Sequence, residues 1–484
     1  MAWSVPYPHH QPPAVIRVPV AKSNRRALKR RRYELIVLGI FCGPILSAAI
    51  VCVLFSLLPH SEPRPSTTAA FYWPKDDPIS FAFGNFAGGF TVEQRLRILA
   101  AMEHIEANSC LSFQENAKFV SSKTSGLVFE KDDTENGPCR SSVGRHRTPQ
   151  AIVLNVHYCL SKMGVIHHEI AHALGFVHTH QRGDAAEHLW MAEEKFNMHD
   201  GCELAWADNS HVCTYAYQLA GSAFVPAVNS DRHDLPFDMG SIMMYPAVPR
   251  HLHCRNSPNP ANRSVYFAKD HLLQHTMGQR FQLSFIDYAL LNRQYCSHKC
   301  TNFEPISGKE TNETSHDVMS CQNGGYRNPG NCSKCLCPEG FTGDQCDTLQ
   351  TSAHCGGSVI LHPLNATERQ FHGVPGYPHP ELTARQLHCV WMFEIADRDD
   401  DYRLNLKISS PFDLLPHDLG CCRDEYIQIH TGPDFRLAGY RFCGQTPPKD
   451  TFVSNGTRLM VTLRPRACEL SPPVVAFHVW AEKL

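Results

Sequence analysis

The sequence predicts a multidomain chain: one N-terminal membrane helix, a large domain, a small disulfide-rich module and an all-β sandwich. Three observations predict it. Residues 35–58 form a run of 24 uncharged, mostly apolar residues. Of the 21 cysteines, two lie in that run and 19 follow it. Beyond Thr348 the texture turns to alternating strands. A length of 484 residues implies several domains, and 43% hydrophobic with 19% charged residues is ordinary for folded protein. The net charge of −2 gives no reason to expect a nucleic-acid partner.

Residues 1–34 are rich in Pro, His and basic residues and read as a cytoplasmic tail. Arg17, Lys22, Arg25, Arg26, Lys29, Arg30, Arg31 and Arg32 all precede the apolar run. Leu35 to Leu58 is long enough to span a bilayer with some tilt. The positive-inside rule keeps the basic side in the cytosol, a type II orientation with everything after Leu58 outside. The rival is a cleaved leader and a secreted protein, but such a leader has a shorter apolar core. Residues 59–70 form a stalk. The sequons at Asn262, Asn312, Asn331, Asn365 and Asn455 all follow the span, as extracellular glycosylation requires. The cysteine density agrees with an oxidising compartment.

Within residues 71–296 the chemistry concentrates at H-E-I-A-H-A-L-G-F-V-H, residues 168–178. His168 and His172 are four apart and share one helix face, expected over Met163 to Leu174. Gly175 permits the turn that brings His178 back as a third ligand. Three ligands leave a position for water, as in catalytic zinc sites, and Glu169 stands beside the first ligand as the base. Ser241-Ile242-Met243-Met244-Tyr245 follows as a Met-turn candidate.

These two motifs together resemble the astacin family of zinc endopeptidases, α+β metzincins. Tyr72-Trp73-Pro74 is similar to the start of that domain. Cys110-Leu111-Ser112-Phe113 resembles the exit from its first helix. Met277-Gly278-Gln279-Arg280, Asp287 and Asn292 to Cys296 resemble its end. The resemblance implies one Zn2+ per chain on His168, His172 and His178. It makes Glu169 the general base, Met243 the apolar floor and Tyr245 the residue that stabilises the oxyanion. It implies the disulfides Cys110–Cys296 and Cys139–Cys159 and a late helix near Leu283 to Asn292. Cys202 and Cys213 flank a polar loop and can close it, which leaves Cys254 unmatched.

Three positions depart from the family. Thr179 replaces the Glu that pairs with the amino terminus freed on activation. Met244 replaces a His, and Ala185-Ala186 replaces an Arg-Asp pair after Arg182 and Asp184. Only Pro59 to Tyr72 separates the span from Trp73, so the expectation is activity without removal of an inhibitory segment.

Residues 297–347 resemble an EGF-like module, with Cys300–Cys332, Cys321–Cys335 and Cys337–Cys346 implied. Residue counting alone allows 15 pairings of six cysteines. Residues 348–484 resemble a CUB domain, a β-sandwich with Cys355–Cys389 and Cys422–Cys443 implied and Cys421 and Cys468 left as a further candidate pair. Strands are expected over Tyr402 to Ile408, Tyr426 to Ile429, Leu459 to Leu463 and Val474 to Trp480. The expected function is zinc-dependent hydrolysis of extracellular proteins, with both modules binding substrate or partners. Relatives of this arrangement, nematode-type and tolloid-like astacins, act on matrix, cuticle or egg coats. The alternative is a catalytically impaired, membrane-anchored binding protein working through its CUB domain.

Overall fold

The computed structural model describes residues 72–84, 89–135, 137–191, 202–204, 235–247, 252–254, 264, 266–300, 320–352, 355–362, 369–372, 388–398, 400–415, 422, 425–464 and 474–484. The tail, the proposed span, the stalk, Asn262, Asn312, Asn365, Cys213, Cys421 and Cys468 lie outside them. Among the described residues no helix is long and apolar enough to cross a membrane.

The first layer is a five-stranded sheet in the order β2-β1-β3-β5-β4. Its strands are β1 (Ile79–Phe83), β2 (Phe113–Glu115), β3 (Gly126–Asp132), β4 (Arg140–Ser141) and β5 (Pro149–Asn155). β1, β2, β3 and β5 run parallel, and β4 is antiparallel at the edge. Parallel neighbours need crossovers, which helices supply. α1 (Val92–Ala107) links β1 to β2, and α2 (Lys118–Ser122) links β2 to β3. α1 starts at a capping box between Thr91 and Gln94. Its buried stripe, Ile98, Ala101, Met102 and Ile105, packs in one core with Ile166 and Ile170 of α3 (Met163–Ala173). Phe81, Phe129, Ile152 and Leu154 of the sheet complete that core. Trp73 fastens the start of the domain by donating its indole N–H to Ala173 O at 2.8 Å.

The chain then leaves the layered region. α4 (Ala185–His188) is short, and two small ladders follow: β6 (Leu189–Met191) with β9 (Tyr266–Ala268), and β7 (Cys202–Leu204) with β8 (Leu252–Cys254). The second sets Cys202 opposite Cys254 in register. α5 (Phe285–Cys296) starts later than Leu283 because Ser284 takes the N-cap, in a capping box with Asp287. It runs past Asn292 to Cys296, whose disulfide to Cys110 holds the last turn. Cys139 and Cys159 are joined as well.

The next module has little core and three disulfides, Cys300–Cys332, Cys321–Cys335 and Cys337–Cys346. Its hairpins are β10 (Tyr326–Asn328) with β11 (Asn331–Leu336), and β12 (Phe341–Thr342) with β13 (Thr348–Leu349).

The C-terminal part is a two-sheet sandwich built from β14 (Gly357–Leu361), β15 (Arg369–His372), β16 (Cys389–Ile395), β17 (Tyr402–Asp413), β18 (Tyr426–His430), β19 (Tyr440–Phe442), β20 (Thr451–Val453), β21 (Arg458–Arg464) and β22 (Val474–Lys483). One sheet is β14-β16-β21-β18-β19, the other β15-β22-β17-β20. Side chains one residue apart face opposite sides, so Leu404, Leu406 and Ile408 of β17 meet Val475, Phe477 and Val479 of β22 inside. Trp391, Phe393, Val461 and Leu463 come from the other sheet. Cys355–Cys389 and Cys422–Cys443 brace it.

Candidate metal centre

α3 ends where the metal chemistry begins. Leu174 caps it, and Gly175 turns the chain at φ 102°, a conformation that side chains with a Cβ rarely adopt. Phe176 drops into the core, and His178 swings back over the helix. The imidazoles of His168, His172 and His178 bring one ligand nitrogen each within 4.8 Å of one another. His172 Nε2 and His178 Nε2 stand 3.2 Å apart. Two such nitrogens repel unless a cation or proton lies between them. The second nitrogens are occupied: His168 Nδ1–H donates to Ile242 O at 2.9 Å and His172 Nδ1–H to Phe176 O at 2.8 Å. That leaves Nε2 as the free acceptor on both rings, the arrangement a metal needs.

Burial pushes all three imidazoles down, His172 to about 4 and the other two well below their usual value, so each is a neutral ligand. The same burial pushes Glu169 up to about 8, opposed by the charge of Arg280. Glu169 Oε2 is buried with no hydrogen-bond partner among the described residues. Three convergent imidazole nitrogens, with a buried carboxylate on the residue that follows the first of them, fit a zinc site with a water to be deprotonated.

Met243 is buried under the ligands in the same core. Tyr245 is half-buried, its ring 4.3 Å from that of His178 and 4.4 Å from that of His180. His180 and Tyr266 complete an aromatic cluster around it. No sequence signal marked His180, which lies outside the ligand spacing. Arg280 and Asp287 stood in motifs without a role. Arg280 now donates to Ile242 O and Met244 O, the two carbonyls flanking Met243.

Thr179 belongs to a buried relay. Its N–H donates to Met243 O at 3.0 Å and its hydroxyl to Ser241 Oγ at 2.9 Å. Ser241 Oγ–H donates to Asp287 Oδ1 at 2.6 Å, while Asp287 Oδ2 accepts from Ile242 N at 2.8 Å. Burial raises Asp287 to about 6 against these bonds. Arg182 and Asp184 form a forked ion pair, and Arg182 also donates to Leu235 O and Pro236 O. Met244 is buried in an apolar cluster with Phe237 and Met239. Asn331 and Asn455 are both exposed.

The sequence profile of the astacin peptidase family matches residues 66–223 and 216–296. The zinc metalloproteinase nas-36 of Haemonchus contortus is 29% identical over 384 residues, 79% of this chain and 52% of the relative. The zinc metalloproteinase dpy-31 of Caenorhabditis elegans is 29% identical over 399 residues, 81% and 56%. The chain thus spans about half the length of the curated relatives it matches. Among solved structures, the hatching enzyme high choriolytic enzyme 1 of Oryzias latipes aligns over 47% of this chain and 96% of its own at 18% identity, with a TM-score of 0.36. The CUB1-EGF-CUB2 domains of rat MASP-1 align over 26% of this chain and 44% of their own at 21% identity and a TM-score of 0.20. The chain is thus similar to astacin-family zinc metalloproteinases, with residues 66–223 and 216–296 matching the peptidase profile of that family.

Proposed function

We propose that the chain is a zinc-dependent endopeptidase acting on extracellular proteins. One observation carries the reading: the imidazoles of His168, His172 and His178 converge, and Glu169, next to the first of them in the chain, has a buried oxygen without a hydrogen-bond partner among the described residues. His168, His172 and His178 would hold the ion, which when bound supplies a Lewis acid for the scissile carbonyl and an acidified water. Glu169 takes the proton from that water and returns it to the leaving amine. Tyr245, packed on His178, would hydrogen-bond the developing oxyanion.

In this reading the protein is single-pass type II, with a glycosylated ectodomain, an EGF-like module at 297–347 and a CUB domain at 348–484 that select or dock substrates. Matrix, cuticle or coat proteins are the substrate classes. The six-cysteine module and the two-sheet sandwich support the modular reading. The experiment is cleavage of a diverse peptide library by the ectodomain with and without chelator. Chelator-sensitive cleavage is expected. Zinc binding without any cleavage favours the alternative, a membrane-anchored binding protein.

A further inference from the structure

The segment that carries Met243 is held from two sides. Toward the ligands, Ile242 O accepts from His168 and Met243 O from Thr179. On the far side the same segment rests on the β-sandwich. Asp238 is 1% exposed, and its Oδ1 accepts the N–H of Gly240 at 2.9 Å and the N–H of Ala438 at 3.2 Å. Gly240 lies three residues before Met243. A Cβ on it would collide with the Cβ of Ala438, so the seam closes because that side chain is missing. Gly240 is not among the glycines with positive φ, so its backbone alone would accept alanine.

A second route reaches the same segment. Thr276 Oγ1–H donates to Gly439 O at 2.9 Å and accepts the N–H of Arg441 at 3.2 Å. Cys422 N–H donates to His275 O at 3.1 Å. Four residues beyond Thr276, Arg280 donates to the carbonyls of Ile242 and Met244. Both routes begin in the sandwich at residues 438–441 or 422 and end on the residues around Met243.

We propose that the sandwich sets the geometry of the zinc site, through residues 438–441 acting on the segment 238–244. Asp238 and Gly240 are positioning residues, held by the backbone N–H of residue 438: they touch neither metal nor substrate, and they act through Ile242, Met243 and the ring of His168. The C-terminal part is then an intramolecular support for catalysis as well as a docking surface. This deepens the zinc-peptidase reading and rests on it for the kinetic readout alone.

The test is a double-mutant cycle in the full zinc-loaded chain, G240A, A438G and G240A/A438G. Misplacement of a catalytic floor by a fraction of an ångström costs activity steeply, so G240A should lower kcat about tenfold or more, with KM changed less than about threefold. It should also speed zinc loss to a chelator. A438G alone should leave both within about threefold of the parent, and the double variant should restore both. If G240A does not fold, Thr276→Val removes the bonds to Gly439 and Arg441 without adding bulk. It should speed zinc loss in the same direction. Parent-like zinc retention in G240A, or a folded G240A that A438G fails to rescue, overturns the proposal. If no variant and not even the parent cleaves peptide, the peptidase reading fails, and the zinc-loss rates still decide whether the sandwich positions the site.

Discussion

Glu169 and Thr179 show how differently two neighbours of the ligands are employed. Glu169 has an oxygen without a partner among the described residues, the mark of a group that meets water or substrate. Glu169→Ala should retain zinc and lose about 10²–10⁴ in kcat, because it removes proton transfer and no ligand. Zinc stoichiometry measured beside the cleavage rate checks this, and equal loss of both would sink it. His172→Ala should lose metal and activity together. Thr179 is already satisfied by Ser241 and Met243. Thr179→Glu would bury a second carboxylate beside the relay that ends on Asp287. It should destabilise by about 2–4 kcal/mol and not activate. A thermal melt reads the loss, and an unchanged Tm with higher activity would contradict it. The convergence of His168, His172 and His178 was legible from sequence because the four-residue helix spacing and the turn glycine are local signals. The Asp238–Ala438 contact was not, since it joins small or common residues 200 positions apart that carry no periodic pattern.

Between elements, Glu339 is the main electrostatic tie from the small module to the sandwich. Burial raises its carboxyl, but Arg441 and Arg464 outweigh that and bring it down to about 2. Tyr426 and Gln428 also donate to it, each at 3.2 Å. A folded pKa below the unfolded value gives stability that is present above about pH 4.5 and lost as pH falls toward 2. The tie should be worth roughly 2–3 kcal/mol near neutrality. Glu339→Gln should remove most of that acid dependence, measured by chemical denaturation at several pH values; an unaltered pH profile would refute the assignment. The ladder of β7 and β8 changes another expectation. Cys254 had no partner by sequence, whereas the register sets it opposite Cys202. Non-reducing peptide mapping should recover these two in one cross-linked fragment, and a Cys202–Cys213 fragment would restore the sequence reading. Strand pairing was invisible to residue counting because the two strands are short and far apart in the chain. The sandwich strands were legible because runs rich in β-branched and aromatic residues show in each one separately, although the strands Tyr426–His430 and Arg458–Arg464 are buried on both faces.

For the molecule as a whole, cysteine density and changes of texture suggest an order of modules, while nothing local in the sequence marks how residues 238–240 pack against residue 438. The proposed type II topology is tested by protease treatment of intact cells. A C-terminal tag should be removed and an N-terminal one spared, and the reverse would overturn it. Docking of the sandwich on the metzincin domain has its own consequence for engineering: exchanging the C-terminal part for a foreign one should cost catalytic rate even on short peptides.

The Cys110–Cys296 bond bears on mechanical load. It spans 186 residues and joins the exit of α1 to the last turn of α5. Near it, Asp76 accepts from Lys299 at 2.9 Å and from His298 at 3.0 Å, so the ways into and out of the domain lie side by side. A chain under tension between its N-terminal side and its C-terminal modules would transmit force along the shortest covalent path. That path crosses at this disulfide. Residues 111–295, with all three histidines, Glu169, Met243 and Tyr245, hang from it as a slack loop. Tension that straightened the rest of the chain would leave the backbone of the zinc site unstretched for as long as the one bond stayed oxidised, while removing the support of residues 438–441 on the segment 238–244.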